Sequence, residues 1–246
     1  MTVARAIAVG AALLGAPLAG LVAEPATREQ IVERLAAGER DFGNLEAPGV
    51  DLEGVDFHGS RLFGANLKGA KLSRAKLRDC NLDLAILREA TLAGADLTNA
   101  SLFSSVFADA DLNGADLSGT RLMGNFQGAN LEGAKLANAK GGADMRNQPM
   151  GLVRAELARA RLRGANLRGA DLSRADLSFA DLREADLRNT NLMRAKLAGA
   201  QLAGARLEGT VLDEADVGSA DFRGALGIES ARGLDTVKGK ESALFD

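Results

Sequence analysis

The chain has no tryptophan and no tyrosine, and its only aromatic residues are nine phenylalanines among 246 residues. It has one cysteine, Cys80, and one histidine, His58. A disulfide framework and a cysteine zinc site within one chain are thereby excluded, and a histidine-rich metal site is excluded with them. Neither charge sign dominates: 30 Lys and Arg stand against 33 Asp and Glu, a formal net charge of −3. That balance argues against a disordered acidic tail and against a basic nucleic-acid binder. Four prolines and 29 glycines are far too few for collagen. No Ser-His-Asp arrangement, CxxC or HExxH occurs, and no glycine sits in a strand-loop-helix phosphate-binding context. No enzyme activity, cofactor, metal or small-molecule substrate is expected.

Residues 1–23, MTVARAIAVGAALLGAPLAGLVA, carry only Arg5 as a charge. A short basic start, an apolar stretch and small residues near Ala23 fit a secretory signal peptide. An uncleaved membrane anchor and an amphipathic helix are the alternatives, and membrane contact is expected only without cleavage. Leu21 is large for its place three residues before the cut. On this reading the protein is exported, to the periplasm or a comparable compartment; the alternative is a cytoplasmic protein. Residues 24–41 read as a helical cap, with Thr27 and Gln30 spaced as a capping box. Ile31, Val32 and Leu35 make its apolar side, and Gly38 its stop.

What dominates the rest is a period of five. Apolar residues recur from Leu52, Phe57 and Leu62 through Leu122, then one residue out of phase at Phe126, Leu131 and Leu136. They recur again from Leu152 through Leu212, Val217 and Phe222. Two positions earlier stands a small residue, as at Ala65, Ala95, Ala165 and Ala175, or Cys80. Five fits neither the 3.6-residue helix nor the two-residue strand. It does fit a short extended step followed by a turn, with the small residue and the large one on the same side. Repeats of this kind need caps at both ends.

The motifs ADL at 95–97, 115–117, 175–177 and 185–187, and ANL at 65–67, 129–131 and 165–167, are similar to the consensus of the pentapeptide repeat family. The resemblance covers roughly residues 42–222. It implies an all-β fold, a right-handed quadrilateral β-helix or pentapeptide repeat solenoid, with four pentads to a coil and short helical caps. Arrays are expected over 42–136 and 152–225, an interrupting loop over 137–151 and a C-terminal cap over 226–246. In the tail, Ile228, Leu234, Val237, Leu244 and Phe245 are the expected apolar contacts. The interior is then packed side chain, Cys80 is buried and inert, and His58 faces solvent.

The best-known members of that family mimic DNA and modulate DNA gyrase, which calls for an acidic surface. Residues 52–136 hold ten acids and nine bases, and residues 152–222 eleven of each. Arg154, Arg159, Arg161, Arg163, Arg168 and Arg174 even make one region basic. The sequence therefore favours a non-enzymatic exported rod that binds an unidentified protein or has a structural role, with a cytoplasmic gyrase modulator as the alternative. An enzyme with a site at the interrupting loop is the remote third reading. Self-association into a dimer is open.

Two regions are candidate contacts. Folded into coils of twenty, the sequence brings Phe63, Leu84, Ile86, Phe103, Val106 and Met123 together as an outward apolar strip. Such a strip marks a protein interface, unless residues 137–151 cover it or it is only scattered surface. The interrupting loop offers Met145, Arg146, Asn147, Gln148 and Met150. It is either a binding element or a tolerated irregularity.

Overall fold

The computed structural model describes residues 24–143 and 153–246. The chain climbs as a stack of four-sided coils. Its register is set by single-residue parallel bridges twenty positions apart, such as Asp41 with Arg61, Glu46 with Asn66, Asp51 with Lys71 and Asp56 with Lys76. The four sides that begin at Asp41, Glu46, Asp51 and Asp56 are called A, B, C and D. Side B runs Glu46, Asn66, Ile86, Val106, Asn125, Glu156, Asp176, Lys196, Asp216 and Lys238.

The expectation of an all-β, right-handed quadrilateral β-helix is corrected here. Among the described residues there is no strand and no sheet, only isolated bridges joined by turns. The pentad itself is the reason. Of its five residues, one bridges, two point inward and two make the turn, which leaves no run long enough for a pleated strand of typical length. Over the described residues the fold is a ladder of bridged turns with one short α-helix.

Each level repeats the same bonds. The inward Leu97 donates its N–H to Asp116 O (2.8 Å), Asn99 donates to Ser118 O (3.0 Å), and Ala100 closes the turn onto Leu97 O (2.9 Å). The turn's second residue sits at positive φ. Glycine supplies this at many corners, but Asn99 (φ 58°), Asp109 (φ 58°), Leu84 (φ 61°) and Phe179 (φ 59°) adopt it too. The Asp or Asn at the bridge accepts from the N–H two residues on, as Asp96 does from Thr98 (2.9 Å) and Asp176 from Ser178 (3.1 Å). That local bond is the reason Asp and Asn recur at the bridging position.

The core is a column of Leu beside a column of small residues, and Leu52 through Phe222 are buried. Phe107 and Phe126 stack within it with centroids 4.9 Å apart. Helix α1 (Arg28–Ala36) closes the N-terminal end, and its capping box at Thr27 and Gln30 is formed. Ile31 of α1 is buried on the core, whereas Val32 faces solvent. Before the helix, Ala26 N–H donates to Glu46 O (2.6 Å) and extends side B by one rung.

Two irregularities fall on one corner. Val106 bridges Asn125 at an interval of 19, and Asn125 bridges Glu156 at an interval of 31. The coil is thus one residue short between Arg121 and Asn125, and the next coil carries eleven extra residues. Both lie between sides A and B. Residues 137–143 still belong to the stack: Ala139 is buried and Lys140 bridges Asp171. The interruption begins later than the expected 137.

The last coil changes period. Leu226, Arg232, Lys238 and Leu244 bridge the coil below at intervals of six. Gly227, Gly233 and Gly239 take positive φ, and each carbonyl accepts from the hydroxyl of Ser230, Thr236 or Ser242 at 2.8–3.0 Å. The extra residue tucks each side over the open end, with Ile228, Leu234, Val237 and Phe245 packed on the core. Phe245 stacks on Phe222 at 5.1 Å. Leu244, one of the expected contacts, faces solvent instead.

Leu97 and Ala95 are both sealed in the column. Leu97→Ala should destabilise by about 2–5 kcal/mol through the cavity it leaves. Ala95→Leu should cost about 1–3 kcal/mol by overpacking. Urea denaturation followed by circular dichroism checks both, and a midpoint unchanged by either would refute the packed-column description.

Candidate functional site

The A–B corner stacks Phe63, Asp83, Phe103 and Met123 in one column. The connecting bonds run from Gly64 N–H to Asp83 O (2.9 Å), Leu84 N–H to Phe103 O (2.9 Å) and Ser104 N–H to Met123 O (2.7 Å). Beside it on side B, Ile86 bridges Val106 directly. Leu84 is 47% exposed and Ile86 41%, while Phe63, Phe103 and Val106 are half-buried. Met123 departs from the expected exposed strip: it is 9% exposed. The coil is one residue short there, so Met123 is drawn inward.

Polar groups pin this edge. The Arg121 guanidinium lies 4.0 Å from the Phe103 ring centroid, and its Nη1 lies 3.8 Å from Asp83 Oδ2. Asp83 Oδ1 accepts from Ser101 Oγ (2.6 Å) and from the Phe103 N–H (2.9 Å). A second cation-aromatic pair, Arg61 over Phe63 at 5.2 Å, stands two levels away, with Arg61 also held by Asp41 at 2.8 Å. Asp83 thus ties the Phe103 backbone and places the Arg121 guanidinium against the Phe103 ring. The recess beside it, about 200 Å³, is walled by Val106, Met123, Gly124, Asn125 and Val153. The loop residues Met145, Arg146, Asn147, Gln148 and Met150 lie outside the described residues.

Elsewhere several charged side chains are paired within the chain. Arg183 and Arg188 each close a two-pronged fork on the aspartate two residues before, at 2.5–2.8 Å, and hold Asp181 and Asp186 below the ordinary carboxylate range. The side chain and then the backbone N–H of Arg223 pull Asp221 down to about 2. The Asp-x-Arg spacing stands in the sequence at 181–183, 186–188 and 221–223, and the forks partner those three carboxylates. Of the basic run, Arg154 pairs with Asp176 (3.7 Å), Arg161 with Glu132 (3.9 Å) and Arg163 with Glu184 (2.6 Å).

Asp96 and Asp116 occupy neighbouring rungs of side D. Asp96 is bound to Thr98, and Asp116 lies 3.5 Å from Lys135. Among the described residues no group of His, Cys, Asp and Glu has the geometry to hold a metal ion. His58 is exposed, 4.0 Å from Asp79. Cys80 is 2% exposed and donates from Sγ to Phe57 O at 3.0 Å.

A stack of pentad coils defines a repeat protein, a class that works through contacts with other proteins. The chain belongs to the pentapeptide repeat family: the model of pentapeptide repeats matches in eight copies over residues 49–79, 65–102, 85–124, 152–189 and 190–226. No curated protein sequence matches it. Among solved structures it is similar to HetL, a pentapeptide repeat protein involved in heterocyst differentiation regulation from the cyanobacterium Nostoc sp. strain PCC 7120. The identity is 30%, the match covers 89% of this chain and 99% of that one, and the TM-score is 0.53. A trypsin-treated form of QnrB1, a plasmid-mediated fluoroquinolone resistance protein, shares the fold at 20% identity, over 84% of this chain and 86% of that one, with a TM-score of 0.50.

The expected export is corrected by these findings. HetL, 30% identical over 89% of this chain, is described by the regulation of heterocyst differentiation. The stretch 1–23 that carried the reading lies outside the described residues. Its single early cation and the bulk of Leu21 suit a signal peptide poorly. Among the described residues no helix is long and apolar enough to cross a membrane. The expected signal peptide and periplasmic location do not stand.

Burial pushes the Cys80 thiol up to about 12, so it should resist thiol reagents at pH 8 in the folded protein and react on unfolding. The fold favours the protonated thiol, so this contribution to stability is complete below the unfolded thiol's pKa and is lost as pH rises toward 12. Cys80→Ala should remove that part of the alkaline slope in denaturation curves. At Gly124, a Cβ would stand 2.8 Å from Ser105 O and 3.0 Å from Leu102 O. Gly124→Ala should therefore lower stability by about 1–3 kcal/mol, read as a fall in melting temperature.

Proposed function

We propose that this chain is a cytoplasmic, non-enzymatic regulator that binds a protein partner along the A–B edge, with DNA gyrase the partner to test first. The observation that carries the reading is the Phe103 ring packed under the Arg121 guanidinium, itself beside Asp83, next to exposed Leu84 and Ile86. An aromatic anchor whose rotamer is already held loses little freedom on binding, and aromatic and arginine side chains dominate binding energy at protein interfaces. Gyrase enters through the family resemblance and through the likeness of fold to a fluoroquinolone resistance protein. The contact here is apolar: the forks on Asp181, Asp186 and Asp221 leave those carboxylates already partnered.

The test is a gyrase supercoiling assay with the purified chain, with and without a fluoroquinolone. The chain should inhibit supercoiling or relieve the drug's effect, and Phe103→Asp should weaken the effect about tenfold or more. Supercoiling untouched by the wild-type chain would remove gyrase as partner. Full potency in Phe103→Asp, with the fold intact, would remove the A–B edge as the contact.

A further inference from the structure

Arg159, Arg161 and Arg163 stand in a row across side C, from the B–C corner to the C–D corner, and all three are exposed. Ala160 and Leu162 between them are buried. The three guanidiniums therefore share the outer face at intervals of about 6–7 Å, the length of two extended residues. The row breaks the pattern of its neighbour. One level on, the bridging residue of side C is Asp181, whose carboxylate forks onto Arg183. Here the bridging residue is Arg161 itself, so Arg163 has no acid two residues before it. Arg163 turns to Glu184 instead (2.6 Å), and Arg161 lies 3.9 Å from Glu132, beyond hydrogen-bond reach. Among the described residues Arg159 has no carboxylate partner. Its N–H donates to Ser178 O (2.9 Å), which sets Phe179 directly beside it in the corner column. Phe179 is 62% exposed, and its ring rests on Gly199, where no side chain intervenes.

We propose that this row docks an extended acidic segment of a partner protein, with carboxylates at every second residue. Same-face side chains of an extended peptide recur at the spacing of the three arginines, so three carboxylates meet Arg159, Arg161 and Arg163 in register. Arginine holds a carboxylate through two parallel N–H donors. An apolar residue at the Arg159 end of the segment reaches the open face of Phe179. The exposed pairs with Glu132 and Glu184 are weak competitors, since exposed ion pairs contribute little. The height of the band selects the partner. Glu132 on the level before, and Asp181 and Glu184 on the level after, confine the positive charge to one coil, ~4.8 Å tall. A single extended strand fits that height, whereas a nucleic-acid backbone would bring phosphates against those acids. Side C lies away from the A–B edge, so this contact is independent of the partner proposed above.

Fluorescence anisotropy on the full chain decides the matter. The probe is a fluorescein-labelled peptide in which three glutamates alternate with threonines and a leucine ends the row. It should bind in low salt, weaken as salt rises, and bind several-fold more tightly than a peptide of the same composition with its glutamates adjacent. The double variant Arg159→Glu with Arg161→Glu should raise the dissociation constant about tenfold or more. Phe179→Ala should weaken the peptide that ends in leucine and leave one ending in threonine unchanged. Arg168→Glu alters charge on the same coil but on side D, and should change binding by no more than about twofold. Circular dichroism melting confirms that each variant is folded. Absence of binding in low salt overturns the proposal. So does equal binding of the alternating and adjacent peptides, or an Arg168→Glu loss as large as that of the double variant. Tighter binding of an oligothymidylate than of the alternating peptide would also overturn it, in favour of a phosphate backbone.

Discussion

Everything in this protein depends on one bond repeated: an inward residue's N–H donating to the carbonyl of the residue nineteen positions ahead, as Leu97 does to Asp116. Because a side contributes a single bridging residue, no rung is stable alone. Stability comes from stacking, which buries one Leu and one small residue per side and satisfies the turn backbone from the level above. The corner must then adopt positive φ, and the chain accepts that cost at Leu84 and Phe179 as well as at glycine.

The inward column was legible in the sequence because its period is constant and both partners, Leu and a small residue, are specified. The same clarity misled on class. Alternation at Ala95 and Leu97 reads as strand, but a pentad spends two residues on the turn, and what remains is a bridge rather than a β-strand. The hexads of the last coil escaped notice because the shift from five to six occurs only over Gly227, Gly233 and Gly239. The apolar run 1–23 resembles an export address in composition alone, and composition does not separate an address from any other apolar segment.

The site was legible in outline. Counting in twenties placed Phe63, Phe103, Leu84 and Ile86 on one edge, since register follows from the period. It could not foresee that a missing residue between Arg121 and Asn125 pulls Met123 inside, nor that Asp83, an interruption in an apolar column, binds the Phe103 N–H and sits beside the Arg121 that covers the Phe103 ring. Side-chain clamps of that kind depend on rotamers, which periodicity does not encode. The Asp-x-Arg forks differ: their spacing stands in the sequence, and only the closing of each fork depends on rotamers.

The ladder also repairs itself. After the eleven additional residues at the A–B corner, Glu156, Arg161 and Asn166 resume pairing with Asn125, Asn130 and Lys135 as though nothing had intervened. A coil in which each rung is fixed only by the rungs directly above and below does not propagate an insertion along its length. That makes the corner between Ala143 and Val153 a natural grafting position. A foreign peptide or a small folded module placed there would be displayed from a rigid mast, beside the Phe103 edge, without retuning any of the other three sides.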